Sequence, residues 1–398
     1  MIAAFLFLVS FPGTVYGVDI IQGDQFELNL PSKKGMQGDY ILTEEGVTGK
    51  HLLLNLYLDI LGSPVETEIS QEVNGHDYYF NPVVVSAFQY RLWQAHEKGV
   101  DVTLVLLMRG DDYCASLGMM AVGEKATDPR KLYALNPDSE AVEAYFRMIS
   151  RRFCTGVCYA KNIILGNEVN MPNEWNYTGT LDPRENARLY AETFYKLRHA
   201  MVYDGNMFAR CYVSLDHSWM DDDDGQGIPG KVFLDLFREE LHKISNNTTW
   251  HLAYHLYAPN LKKTSSIWRN PGLCENKPDA LFVSPSNLEV ICDYMRNEVS
   301  PTCKILLSEQ GFDISEGEQI QAAGVAYCYY AALQQDNVEG VIFRSYKDEG
   351  TDGGLDLGFI DREGKEREAY RIVYQLMDGP KGLYVLAFYM TLIQNNII

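Results

Sequence analysis

Apolar, β-branched runs alternate with helix-period segments along most of the chain. His51–Leu58 (HLLLNLYL) has the continuous apolar character of a buried strand. Thr67–Phe80 is a predicted hairpin, alternating on either side of Asn74-Gly75, a dipeptide suited to a tight two-residue turn. Asn81 stands where a helix N-cap belongs, the helix runs to about Lys98, and Gly99 takes the C-terminal glycine position. Val100–Met108 (VDVTLVLLM) then reads as a strand buried on both faces. The same alternation predicts strands at Asn162–Gly166, Ala209–Leu215, Trp250–Tyr257, Lys304–Leu307 and Glu339–Phe343. Helices are predicted at Ser139–Phe153, Pro183–Tyr203, Pro229–Ile244, Ser286–Val299, Glu316–Gln335 and Glu366–Met377.

Seven strands result, and Lys33–Tyr40 is the only stretch with room for an eighth before His51. Strands alternating with helices at roughly 40–50 residue spacing predict a parallel sheet, and eight such units predict closure into a barrel. The expected fold is α/β: a single (β/α)8 TIM barrel over residues 18–380, with a β-hairpin inserted after an early strand. A doubly wound sheet is the competing arrangement, but no Gly-rich phosphate-binding turn follows the first strand. No solenoid-type repeat or low-complexity linker divides the chain.

The two ends depart from this pattern. Residues 1–17 (MIAAFLFLVSFPGTVYG) carry an apolar run of signal-peptide length that ends in small residues, so a secreted or extracytoplasmic protein is expected. The run lacks a Lys or Arg before it, and a buried first strand is the competing reading. Sequons at Asn176, Asn246 and Asn247 agree with export, although such triplets are common by chance. Residues 381–398 form a hydrophobic C-terminal extension, interrupted by Gln394-Asn395-Asn396 and shorter than a membrane span; docking on the body as a strand or helix is expected.

Composition adds mainly exclusions. Against 34 Lys+Arg stand 54 Asp+Glu, a net charge of −20, which argues against nucleic acid or an anionic membrane as partner. Eight cysteines permit up to four disulfides, but a chain of 398 residues can build its core without them. Cys154-x3-Cys158 has no second pair at zinc-ribbon spacing and reads as structural, free or disulfide-bonded, and the eight His form no metal-binding cluster at strand ends. Asp221–Asp224 fits no EF-hand register and reads as a solvated loop.

In a β/α barrel the reacting groups lie at the C-terminal ends of strands. The fourth predicted strand ends in Gly166-Asn167-Glu168, the sixth in His255-Leu256-Tyr257, and the seventh in Ser308-Glu309-Gln310-Gly311. A carboxylate directly after an apolar strand is costly as mere core, because an unpaired buried charge loses several kcal/mol. Two of them, on strands four and seven, would face one another across the barrel mouth. Opposed carboxyls are what glycosidic bond cleavage requires: one protonates the leaving oxygen, the other attacks the anomeric carbon or activates water. Arg109, ending the third strand, is a candidate to hold a carboxylate or a sugar hydroxyl. Trp175, after strand four, and Trp219, after strand five, are candidate stacking platforms for sugar rings.

This constellation resembles the (β/α)8 retaining glycosidases of glycoside hydrolase clan A. Asn167-Glu168 is similar to the clan's strand-four acid/base dipeptide, Glu309 to its strand-seven nucleophile, and His255-x-Tyr257 to its strand-six motif, whose Tyr hydrogen-bonds the nucleophile. Leu357-Gly358-Phe359-Ile360-Asp361, then Gly364 and Glu368-Ala369-Tyr370, resembles the run that often follows strand eight. The likeness covers roughly residues 33–378 and points to a clan A-like family known only as a domain of unknown function. It implies Glu168 as general acid, Glu309 as nucleophile, and Asn167 as a ligand of the sugar 2-hydroxyl. One departure stands out: where the clan often ends strand eight with a Trp, this chain has Phe343-Arg344-Ser345-Tyr346, leaving Phe343 or Tyr346 as the aromatic candidate. A secreted retaining glycoside hydrolase acting on an uncharged poly- or oligosaccharide is expected, one that needs no metal or organic cofactor. The alternatives are a carbohydrate-binding barrel without catalysis and a metal-dependent barrel hydrolase.

Overall fold

The computed structural model describes residues 31–122, 128, 130–350, 352–379 and 381–398. The strands are β1 (Lys34–Gln37), β2 (His51–Tyr57), β3 (Ser70–Val73), β4 (His76–Tyr79), β5 (Asp101–Leu107), β6 (Asn162–Leu165), β7 (Arg210–Leu215), β8 (His251–Tyr254), β9 (Ile305–Gln310) and β10 (Val338–Phe343). Eight of them form a closed barrel in the order β1-β10-β9-β8-β7-β6-β5-β2, all neighbours parallel. The fold is therefore a (β/α)8 TIM barrel. β3 and β4 make the expected antiparallel hairpin, turning at Asn74 (φ 51°) and Gly75 (φ 84°), the pair of positive φ angles that a type I′ turn needs.

The period-2 pattern explains where the core sits. Leu53, Val105, Leu107, Ile164, Tyr212, Ala253, Leu306 and Ile342 fill the barrel interior, while Leu52, Leu54, Val102, Leu104, Ile163, Val213 and Leu252 on the same strands pack outward in the larger cluster with the helices. Both faces are buried, which is why these strands read as continuous apolar runs.

Several boundaries moved. The first strand is short, and the residues after it, Tyr40–Thr43, turn helical. The predicted helix at Ser286–Val299 is a 3₁₀ turn (Pro285–Asn287), a short α-helix (Glu289–Tyr294) and a π-turn (Met295–Val299). The last predicted helix contains a π-turn at Ala369–Tyr374, where Tyr370 and Tyr374 pack on Phe359. β9 runs three residues further than expected, to Gln310.

The C-terminal extension is a helix, Gly382–Gln394, that packs against the helix Glu318–Leu333 and buries Leu386, Tyr389, Met390 and Ile393. Among the described residues no helix is long and apolar enough to cross a membrane. The signal peptide expected at residues 1–17 lies outside the described residues. All eight cysteines are unpaired, seven of them buried, so they act as small apolar core residues rather than cross-links.

Candidate active site

Glu168 leaves β6 through a constrained turn. Gly166 has φ 74°, and a Cβ there would come 3.0 Å from Val169 Cγ1, so glycine suits both the backbone and the space. Glu168 itself has φ 41°, a conformation that a side-chain-bearing residue adopts at a cost of order 1–3 kcal/mol. Neighbouring strand ends hold it there. Gly166 N donates to Leu106 O at 3.0 Å, Glu168 N to Ser214 Oγ at 3.2 Å, and Val169 N to Ser214 O at 2.8 Å.

Glu309 depends on a different device. Leu306 points into the barrel, so strict alternation would turn Glu309 outward toward the helices. The pairing of β9 with β10 instead shifts between Leu307↔Val341 and Gln310↔Phe343, three residues of one strand against two of the other. This bulge inserts one extra residue and re-aims the side chain at the barrel mouth. Tyr257 Oη donates to Glu309 Oε1 at 2.8 Å, and Arg344 Nη1 donates to the same oxygen at 2.6 Å.

His255 continues the inward alternation of β8 and is buried beside the two carboxylates. Its Nδ1 lies 2.7 Å from Glu168 Oε1. One oxygen of Glu168, one of Glu309 and a ring nitrogen of His255 all lie within 4.8 Å of one another. Close enough to act on Glu168 and His255 is a buried polar network in which Asp216 accepts from Asn170 Nδ2 at 2.7 Å and from Ser218 Oγ at 2.7 Å. His217, stacked on Phe282 at 5.2 Å and edge-on to Tyr257 at 6.2 Å, forms an adjoining wall.

The two carboxyls are tuned in opposite directions. Burial pushes Glu168 above the usual carboxyl range; the His255 contact opposes this, and Asp216 and Glu309 add to it. Burial would raise Glu309 too, but Arg344, His255 and Tyr257 outweigh it and hold the group below its ordinary value. His255 is raised in turn: its burial is outweighed by Glu309, Glu168 and Asp216. A carboxyl that keeps its proton thus faces one that loses it readily.

The same three groups form a set of ligand type for a metal ion. Arg344 already pairs with Glu309 Oε1, and His255 Nδ1 with Glu168 Oε1, so both carboxylates have partners within the protein.

Arg344 is the member whose role sequence reasoning missed. Its Nε and Nη2 bind Asp352 Oδ1 at 2.9 and 2.7 Å, and Ser345 Oγ donates to the other Asp352 oxygen. It stands two residues after the inward-facing Ile342, a spacing that could have placed it at the mouth.

Other candidates lie elsewhere. Arg109 does not reach Glu309; it pairs with Asp59 Oδ2 at 2.9 Å and covers the Tyr57 ring at 4.2 Å. The nearer, nearly buried carboxylate of Asp59 captures it. Trp219 is fully buried, its Nε1 donating to Pro278 O and its ring edge-on to Tyr294, so no face is free for a sugar. Tyr346 packs between Tyr40 (4.8 Å) and Tyr370 (5.7 Å) against the outer core, not over the carboxylates. Trp175 is half-buried beside a cavity of about 20 Å³ that Leu107, Leu132 and Tyr190 also line. Asn167 sits half-exposed between the two positive-φ residues, its amide unengaged among the described residues.

The chain is a closed (β/α)8 barrel with two glutamates converging at its mouth, and the comparisons agree on the fold. A β-glycosidase from the hyperthermophile Thermosphaera aggregans superposes with a TM-score of 0.55 at 13% identity, over 87% of this chain and 86% of that one. A family 39 glycoside hydrolase from the gut symbiont Bacteroides cellulosilyticus WH2 gives 0.53 at 13% identity, over 87% of this chain but only 63% of its own. ZgEngAGH5_4, solved in complex with a cellotriose, gives 0.51 at 13% identity, over 87% and 95% of the two chains. By sequence, residues 27–397 match the model described as a family of unknown function, DUF5722, and the chain belongs to that family. No curated protein matches it.

Proposed function

We propose that the protein is a retaining glycoside hydrolase that cleaves O-glycosidic bonds by double displacement. The observation that carries this reading is the pairing of Glu168 with Glu309: oxygens within 4.8 Å across the mouth, with opposite pKa shifts. Retaining enzymes hold their carboxyls about 5–5.5 Å apart, whereas inverting ones leave about 6.5–9.5 Å for a water. Glu309, ionised and oriented by Tyr257 and Arg344, attacks the anomeric carbon while Glu168 protonates the departing oxygen. Glu168 then takes a proton from the water that releases the glycosyl-enzyme. Asn167 is proposed to bind the 2-hydroxyl.

A barrel that binds sugar without catalysis would keep its aromatic platforms and separate or block its carboxyls. Here Trp219 and Tyr346 are packed away while the carboxyls converge, which favours the enzyme. An uncharged glycan is proposed, because Asp352 and Glu309 already balance Arg344 in a chain of charge −20. Export is proposed from the apolar run at residues 1–17.

A screen of neutral polysaccharides and aryl glycosides, with the first-formed anomer followed by proton NMR, tests this. Net retention is expected; inverted product, or no turnover of any substrate, would reject the mechanism.

The Arg344 contact predicts a separate effect. Arg344→Gln removes the largest influence lowering Glu309, so the acidic limb of kcat/KM should move to higher pH, with a ~10-fold or greater loss below neutrality. The basic limb should stay in place. An unmoved acidic limb would show that Arg344 does not tune the nucleophile.

A further inference from the structure

The N-terminal ends of the strands, opposite the carboxyl pair, carry a second concave feature. Arg210 opens β7 and His251 opens β8, whereas Glu168, His255, Glu309 and Arg344 come from the other end of the barrel. With Arg198 from the helix Pro183–Asp204, the segment Met207–Cys211 and Thr249, these residues line a cavity of about 180 Å³. One water needs only about 10–15 Å³ of such space.

The lining offers hydrogen-bond donors and no carboxylate. Arg198 Nη2 donates to Met207 O at 3.2 Å, but Nη1 is buried with no partner. No carboxylate pairs with Arg198 among the described residues. An unmet buried donor is unfavourable, and more so when it is charged. Arg210 grips Glu339 through Nη1, leaving Nε and Nη2. His251 Nδ1 accepts from Lys304 N at 3.1 Å, which puts the ring proton on Nε2 as a further donor. The ring stays neutral, its pKa pushed down to about 3 by burial and by Arg210, Arg198 and Lys304. Of the two guanidinium groups lining the cavity, Arg210 is balanced by Glu339, whereas the charge of Arg198 meets no carboxylate among the described residues.

We propose that the cavity binds a small tetrahedral oxyanion through Arg198, Arg210 and His251: free phosphate or sulfate, or the phosphate or sulfate group of a small sugar. Two guanidinium groups offer the planar, paired donors that such oxygens accept, and the exposed side chains of Met207 and Phe208 flank the opening. The proposal stands apart from the glycosidase reading, since no group is shared.

Thermal shift and phosphorus NMR titrations of the full chain test it with sodium phosphate, sodium sulfate, glucose 6-phosphate and galactose 6-sulfate, against sodium chloride at matched ionic strength. A saturable rise in Tm with oxyanions beyond that with chloride is expected. Tighter binding of the sugar esters would identify the sugar as the source, and tighter binding of the inorganic ions would identify the free anion. Arg198→Gln should fold normally, lacking any ion pair to lose, and weaken binding at least tenfold. No effect beyond chloride with any of the four probes, or equal binding by Arg198→Gln, would overturn the proposal. If that variant does not fold, the His251 ring NMR signal of the wild type decides: a shift on adding phosphate upholds the site, and no shift rejects it.

Discussion

Glu309→Gln is expected to abolish hydrolysis, lowering kcat by at least ~10³-fold on every substrate the wild type accepts. A neutral amide cannot form the glycosyl ester, so the first displacement has no nucleophile. The fold should survive. The Gln carbonyl can still accept from Tyr257 and Arg344, and Arg344 keeps its two bonds to Asp352. Circular dichroism and Tm close to the wild type would therefore accompany the loss. Glu309→Ala should be equally inactive toward natural substrates, yet added azide should fill the vacated space and give a glycosyl azide of inverted configuration. Unchanged hydrolysis by Glu309→Gln would reject the assigned nucleophile.

Glu168→Gln should lower kcat by ~10²–10⁴-fold on substrates with poor leaving groups, which need a proton on the departing oxygen. Aryl glycosides with strongly acidic phenols need none, so their first step should be nearly spared and the glycosyl-enzyme should accumulate as a burst. The pH profile gives the second half of the prediction. In the proposed mechanism Glu168 acts protonated and its pKa is raised, chiefly by burial, so wild-type activity should fall as pH rises through that raised value. Glu309 acts ionised and is lowered, so activity should fall as pH drops through that lowered value. The active window lies between them, and Glu168→Gln should erase its basic limb alone. A basic limb that persisted would assign the proton donor elsewhere, with His255, 2.7 Å from Glu168, the first group to examine.

Much of this was legible without coordinates, at particular residues. The runs at β2 and β5, apolar on both faces, betray a parallel sheet because each strand lies between a filled barrel and a layer of helices. Glu168 and Glu309 each follow an apolar strand directly, and it was their joint placement on the fourth and seventh strands that marked them. His255 and Tyr257 were visible as a motif, but their partners were not: His255 meets a residue 87 positions away and Tyr257 one 52 away.

What the chain determined alone was periodicity. Alternation and spacing specify which residues are buried and how many units repeat, and from these follow the barrel and the strand ends that carry Glu168 and Glu309. What tertiary structure decided was which polar groups meet. A one-residue bulge in β9 turns Glu309 into the mouth against its own alternation. Arg344 serves that carboxylate while Arg109 is held by Asp59, and Trp219 is enclosed. Burial follows a local period that a sequence displays, whereas a contact of under 3 Å depends on register and closure summed around all eight strands.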